Sequence, residues 1–143
     1  MKIITTKKTL IKILQYNKNI GLVPTMGAIH KAHGTLIKKS NDLCDKTLVT
    51  IFVNKPQFNR ESDYKEYPRI LRSDISILKK YEADFLYLPT AKQIYPNVLN
   101  KKIKISIFSK ELCGKFRPGH FQAVVDVIDR FIKIIKSNKI FFR

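Results

Sequence analysis

His30 and His33 stand three positions apart in "LVPTMGAIHKAH", residues 22 to 33, directly after an apolar run, a proline and a glycine. Residues spaced this way on a helix project to one side, so both imidazoles can face the same loop. Three chemistries suit such a pair: surface or capping histidines, a metal pair, or donors to a phosphate. The metal reading fails on ligand count. Zinc needs more than two protein ligands, and the metalloprotease motif spaces its histidines four apart with a glutamate beside the first, where this chain has Lys31. No metal ligand is therefore assigned. A helix N-terminus has unpaired N–H groups and the positive end of the dipole, which favours phosphate and disfavours imidazolium. Two neutral imidazoles there can each donate one N–H to the phosphates of a nucleotide. Such donors strengthen as charge develops on a departing pyrophosphate. Spacing alone leaves the capping reading open beside the phosphate one.

The surrounding elements must put that pair at the edge of a sheet. "TKKTLIKILQY", residues 6 to 16, has a Thr N-cap and apolar Leu10, Ile11, Ile13 and Leu14, which predict a short amphipathic helix. "NIGLVP" reads as a buried strand ending at Pro24, and residues 28 to 41 as a helix beginning just past Gly27. "KTLVTIFVN", residues 46 to 54, is too continuously apolar for a one-sided antiparallel strand. A polar loop from Lys55 to Glu66 follows. Pro68 then suits a first helical position, with Ile70, Leu71, Ile75 and Leu78 on one face. "DFLYLP" supplies another strand, "TAKQIY" a turn and "KKIKISIF" an exposed segment. Residues 122 to 136 form a helix whose Val124, Val125, Ile128, Phe131, Ile132 and Ile135 read as core stripe, and "KIFFR" starts one more strand. Strand and helix in alternation predict an α/β fold, a doubly wound parallel sheet with right-handed crossovers. Chemistry in such folds gathers beyond the carboxyl ends of the strands, here after "GLVP", after "TIFVN" and after "KIFF".

At 143 residues and 44% hydrophobic content, the chain suits one domain with a core. No apolar run approaches the roughly 20 residues that span a bilayer, and no signal-peptide pattern opens the chain, so a cytoplasmic protein is expected. Cys44 and Cys113 are far apart and fit neither a disulfide framework nor a zinc knuckle. A net charge of +17 would ordinarily suggest nucleic acid or an anionic membrane. The charge is mostly Lys, which accompanies abundant Ile and Asn as A/T-rich codons would produce. It is also scattered, without interleaved stacking aromatics. No dedicated nucleic-acid or membrane partner is expected.

"PTMGAIHKAH" resembles the adenylate-forming signature of the pantothenate synthetases, whose HxGH is their form of the histidine motif of the nucleotidylyltransferase superfamily. "IFVNKPQF" resembles that family's IFVNPxQF, "YPRIL" its YPRTL, and "IYP" and "RPGHF" recur in family order across nearly the whole chain. A plain nucleotidylyltransferase would not explain these later segments. The resemblance implies a Rossmann-like fold and ATP-dependent condensation of pantoate with β-alanine through a pantoyl adenylate, releasing AMP and diphosphate. It implies an ATP site along Met26, Gly27, Ala28, Ile29, His30, Lys31, Ala32 and His33, with His33 the catalytic proton donor. Gln57 is implied as contact for pantoate and β-alanine, and Arg117 and His120 as residues near the substrate pocket. Mg²⁺ is expected with ATP, held by phosphate oxygens. The resemblance also implies a homodimer.

Several residues depart from the family pattern. Ala32 replaces the glycine of HxGH, Gly34 a large apolar residue, and Gln122 and Ala123 the Arg-Gly of HFRGV, while Pro56 comes one position late. Gly34 is expected to cost a helix about 1 kcal/mol. Family members continue past this last strand into a Gly-Glu-Lys-Asp segment, a second pantoate-binding glutamine, a Ser-Ser-Arg loop and a smaller C-terminal domain. Residues 1 to 143 are therefore expected to be the nucleotide-binding domain, incomplete at its C-terminal end, with the second domain absent. Weak or no ligase activity is expected of this chain alone. A non-catalytic remnant or the nucleotide-binding half of a split enzyme is the alternative.

Overall fold

The computed structural model describes residues 1 to 96 and 119 to 142. Five strands form one all-parallel sheet: β1 (Lys2–Ile4), β2 (Ile20–Thr25), β3 (Lys46–Ile51), β4 (Phe85–Tyr87) and β5 (Lys139–Ile140). Their order is β1-β4-β3-β2-β5. From β2 the chain winds outward to β3 and β4, then returns to lay β5 on the other side of β2. This reversal makes β2 and β5 the topological switch point, where an open parallel sheet presents a crevice at its carboxyl ends. Pro24 sits inside β2 without breaking the ladder. Phe141 N–H donates to the carbonyl of Leu22 at 2.8 Å, so the backbone groups of Leu22 and Pro24 both point toward β5, which has ended by then.

The helices are α1 (Lys7–Gln15), α2 (Lys31–Leu43), α3 (Glu61–Glu66), α4 (Leu71–Lys80), α5 (Ala91–Ile94) and α6 (His120–Ile135). On one face of the sheet, Ile37 of α2 and Leu78 of α4 pack with Val23, Val49 and Leu86. On the other, Leu10 of α1 and Val127, Phe131 and Ile135 of α6 pack with Ile20, Leu22, Leu48 and Tyr87. The doubly wound architecture expected from the sequence is therefore present, and burial of both faces explains the continuous apolar runs of β2 and β3.

The local differences have physical causes. The three-residue β1 is too short to show a period, and it exists through its pairing with β4. The expected loop from Lys55 to Glu66 contains a 3₁₀ turn, Lys55–Gln57, and then α3. Pro68 precedes α4 by three residues instead of opening it, and Ile70 and Leu71 are exposed. "TAKQIY" forms α5, capped by Thr90 accepting from Gln93 N–H. In α6 the buried spine is Ala123, Val127, Phe131 and Ile135, four apart, while Ile132 is exposed. Of the expected stripe, Phe131 and Ile135 are in the core and Ile128 packs against it, while Val124 and Ile128, with Val127 and Phe131, also line a cavity. "KKIKISIF" and Cys113 lie outside the described residues, and Cys44 is buried. No helix among the described residues is long and apolar enough to cross a membrane.

Candidate active site

The loop leaving β2 folds back on itself before α2 begins. Thr25 Oγ1 donates to the carbonyl of Thr50 at 2.7 Å and accepts Gly27 N–H at 3.2 Å. Gly27 and Ala28 then both take positive φ, +89° and +49°. A glycine accepts that conformation freely, an alanine only where its surroundings impose it. Asp74 of α4, 2% exposed, supplies the constraint: its Oδ1 accepts Ile29 N–H at 2.7 Å and its Oδ2 accepts Ala28 N–H at 3.2 Å.

His30 is the N-cap of α2, not part of its first turn, and His33 is its third helical residue. The two side chains cap the helix reciprocally. Ala32 N–H donates to His30 Nδ1 and His30 N–H donates to His33 Nδ1, both at 3.3 Å, with ring centroids 4.2 Å apart. An Nδ1 that accepts carries no proton, so each neutral ring bears its proton on Nε2. Five backbone amides, those of Gly27, Ala28, Ile29, His30 and Ala32, are therefore spent inside the loop. The His33 amide also turns to the His30 side chain in this cap, so the donors it leaves for an anion are chiefly the two Nε2–H groups. Burial lowers the pKa of His33 from the usual 6.5, His30 pushes the same way and Asp74 opposes. His33 is accordingly neutral near pH 7 and able to donate. Burial, and then Asp74, raise the pKa of Tyr67.

Two cavities meet at this corner. The smaller, about 190 Å³, lies at the switch point, with Phe52, Val124, Ile128 and Phe142 as apolar wall and His33, Asn54 and Gln57 as polar groups. The larger, about 590 Å³, shares Met26, Gln57 and Tyr67 with it and is lined further by Arg60, Asp63, Glu66 and His120. A hydrogen-bonded chain holds the polar wall. Tyr95 Oη donates to Asn54 Oδ1 at 2.7 Å, Asn54 Nδ2 donates to Ala123 O at 3.2 Å and to Gln57 Oε1 at 3.4 Å, and His120 Nδ1–H donates to Gln57 O at 2.8 Å. Behind it, the guanidinium of Arg130 stacks 4.4 Å from the Tyr95 ring while Nε donates to Asp126 and Nη1 to Ile94 O. Pro56 sits within the 3₁₀ turn, where the Gln57 and Phe58 amides return to Asn54 and Lys55. The shifted proline therefore costs this turn no bond.

Met26, His33 and Gln57 line the smaller cavity together, and His120 meets Met26 and Gln57 around the larger. Gly27 and Ile29 are buried and Ala28 half-buried, contributing backbone shape. His30 and Lys31 are exposed, and Ala32 is half-buried at the first turn. Arg117 lies outside the described residues. Sequence reading missed Asp74 and gave no role to Asn54, Tyr67 and Tyr95, which lie within "IFVNKPQF", "YPRIL" and "IYP". Asp74 had a legible signal: it stands four residues after Ile70 and four before Leu78, a carboxylate in an apolar stripe.

A family model described as pantoate-beta-alanine ligase matches residues 2–143. Pantothenate synthetase of Clostridium botulinum (strain 657 / Type Ba4) is 40% identical over 146 residues, covering 99% of this chain and 52% of that protein. The protein of the same name from Pseudothermotoga lettingae is 39% identical over 142 residues, covering 99% and 50%. Among solved structures, the pantoate-beta-alanine ligase of Francisella tularensis, complexed with beta-gamma ATP and beta-alanine, superposes with a TM-score of 0.91 at 39% identity, covering 98% of this chain and 55% of that one. The pantothenate synthetase of Thermus thermophilus gives a TM-score of 0.90 at 29% identity, covering 98% and 51%. The chain spans about half the length of the curated relatives it matches. With the parallel sheet, the histidine-capped loop and a family match along nearly its whole length, this chain belongs to the pantoate-beta-alanine ligase family.

Proposed function

We propose that this chain binds ATP and pantoate side by side and activates the pantoate carboxylate for capture by β-alanine. The observation that carries the reading is the small cavity at the switch point, whose apolar wall suits the compact branched body of a hydroxy acid. Its His33, Asn54 and Gln57 suit that acid's carboxylate and hydroxyls. ATP lies along Met26 to His33, with its phosphates toward the Nε2–H groups of His30 and His33. A carboxylate oxygen of pantoate attacks the α-phosphorus, the bond to the bridging oxygen breaks, and diphosphate departs. His33 Nε2–H donates to the charge developing on that leaving group. The amine of β-alanine then attacks the acyl carbon, a C–N bond forms, the C–O bond to the phosphate breaks, and AMP leaves as the amine gives up its proton. The larger cavity, joined at Gln57, is the approach for the amine. Mg²⁺ enters as the ATP complex, held mainly by phosphate oxygens.

The half-length coverage favours a second reading, in which these residues bind nucleotide and acid while turnover needs residues from the rest of the family's length. One assay separates the two. AMP formation dependent on both pantoate and β-alanine, and lost in His33→Ala, supports catalysis by this chain. Saturable binding of ATP and pantoate without AMP supports the second reading. Absence of both binding and turnover refutes both.

A further inference from the structure

Asp74 is a buried carboxylate without a cationic partner among the described residues. Its charge is met by backbone dipoles, through the amides of Ala28 and Ile29. Those amides belong to a loop that holds an alanine at φ +49°, and the next residue along is the N-cap His30. Space also ties the loop to this carboxylate. A Cβ added at Gly27 would stand 3.1 Å from Asp74 Oδ2, so loop and side chain are packed as well as bonded.

We propose that Asp74 is the positioning residue of this loop: by drawing the Ala28 and Ile29 amides inward, it imposes the turn that stands His30 and His33 in their reciprocal cap with both Nε2–H groups outward. That these outward groups serve a nucleotide rests on the function proposed above. The loop-holding role does not. A carboxylate is required because both partners are N–H donors, and an amide in its place presents one oxygen and one NH₂, the latter facing an N–H. Asp74 is also the negative charge behind His33, where His30 on the same helix and Tyr67 ahead of α4 are the other titratable groups.

The test is Asp74→Asn, read by imidazole nitrogen NMR with a thermal transition as the check on folding. In the unaltered chain both histidines should show the Nε2–H tautomer. In the variant the tautomers should mix, and His33 should titrate at lower pH because the opposing negative charge is gone. ATP affinity should fall by about tenfold or more, as expected when two buried donors lose one acceptor. A folded variant with unchanged tautomers and an unchanged His33 titration overturns the proposal. If the unaltered chain fails to bind ATP, the nucleotide reading falls while the tautomers still decide the role of Asp74. If the variant does not fold, amide hydrogen exchange in the unaltered chain decides. Ala28 and Ile29 protected by about tenfold or more support the clamp, and free exchange at both overturns it.

Discussion

The ring of Tyr81 fills the space above Gly34: a Cβ built on that glycine would overlap three atoms of the ring. Gly34 is buried in α2, and Tyr81 ends α4, where its carbonyl accepts from Asn41 Nδ2 at 3.0 Å and Lys38 lies 5.8 Å from the ring centroid. The glycine that costs the helix propensity thus gives an aromatic side chain from the neighbouring helix a place to pack. The space beside this glycine is filled by Tyr81, at the C-cap of α4.

That relationship predicts a reversal of the usual glycine rule. Gly34→Ala should destabilise by about 1–3 kcal/mol through overpacking, although alanine is the better helix former. Tyr81→Ala should destabilise through the void it leaves. The double variant should be more stable than the sum of the two, and denaturant unfolding of all four proteins reads the coupling.

His33 predicts a pH dependence. Its folded pKa lies below the usual 6.5, so the unfolded chain binds the proton more readily. The resulting stability is fully present above about pH 6.5 and is lost as pH falls through the depressed folded value. Protonation also converts the accepting Nδ1 into a donor facing His30 N–H, which breaks the cap. Thermal midpoints recorded from pH 7.5 downward should fall more steeply for the unaltered chain than for His33→Gln.

Tyr95 predicts the opposite sign. Its phenol is pushed up to about 12, first by burial and then by Asp126, with Arg130 opposing. The folded chain holds this proton where an unfolded chain releases it, so the associated stability is present below about pH 10 and lost as pH rises through about 12. Ultraviolet titration should show one tyrosine ionising late. Tyr95→Phe should remove that late step and cost about 1–3 kcal/mol, because Asn54 Oδ1 is left buried without its donor.

The wall of the small cavity predicts a separation of ligands. Val124→Phe adds bulk to a cavity of about 190 Å³ that Val124 lines together with Phe52 and Gln57. Calorimetric titration should show pantoate affinity reduced by about tenfold or more, while ATP affinity changes by less than about threefold. Equal loss of both would mean that the two ligands do not occupy separate places.

Much of this protein was legible in the residues themselves. The apolar runs of β2 and β3 and the helix periods between them dictated a parallel sheet covered on both faces, and "PTMGAIHKAH" marked the turn at the carboxyl end of β2. Side-chain type and local period carry that information, because each is decided within a few residues of chain. The roles around the turn were not legible in the same way. His30 and His33 read as residues of a first turn with free amides beneath them, whereas the folded chain makes them the caps and turns the Ala28 and Ile29 amides toward Asp74, 46 and 45 positions away. Tyr81 over Gly34, Tyr95 on Asn54 and the cavity that α6 lines with Phe52 and Gln57 are likewise contacts between distant segments. Sequence alone determined which chemistry stands at the end of β2; only packing between β2, α2, α4 and α6 decided which donors remain free to use it, since a buried N–H takes whatever acceptor the fold brings within reach.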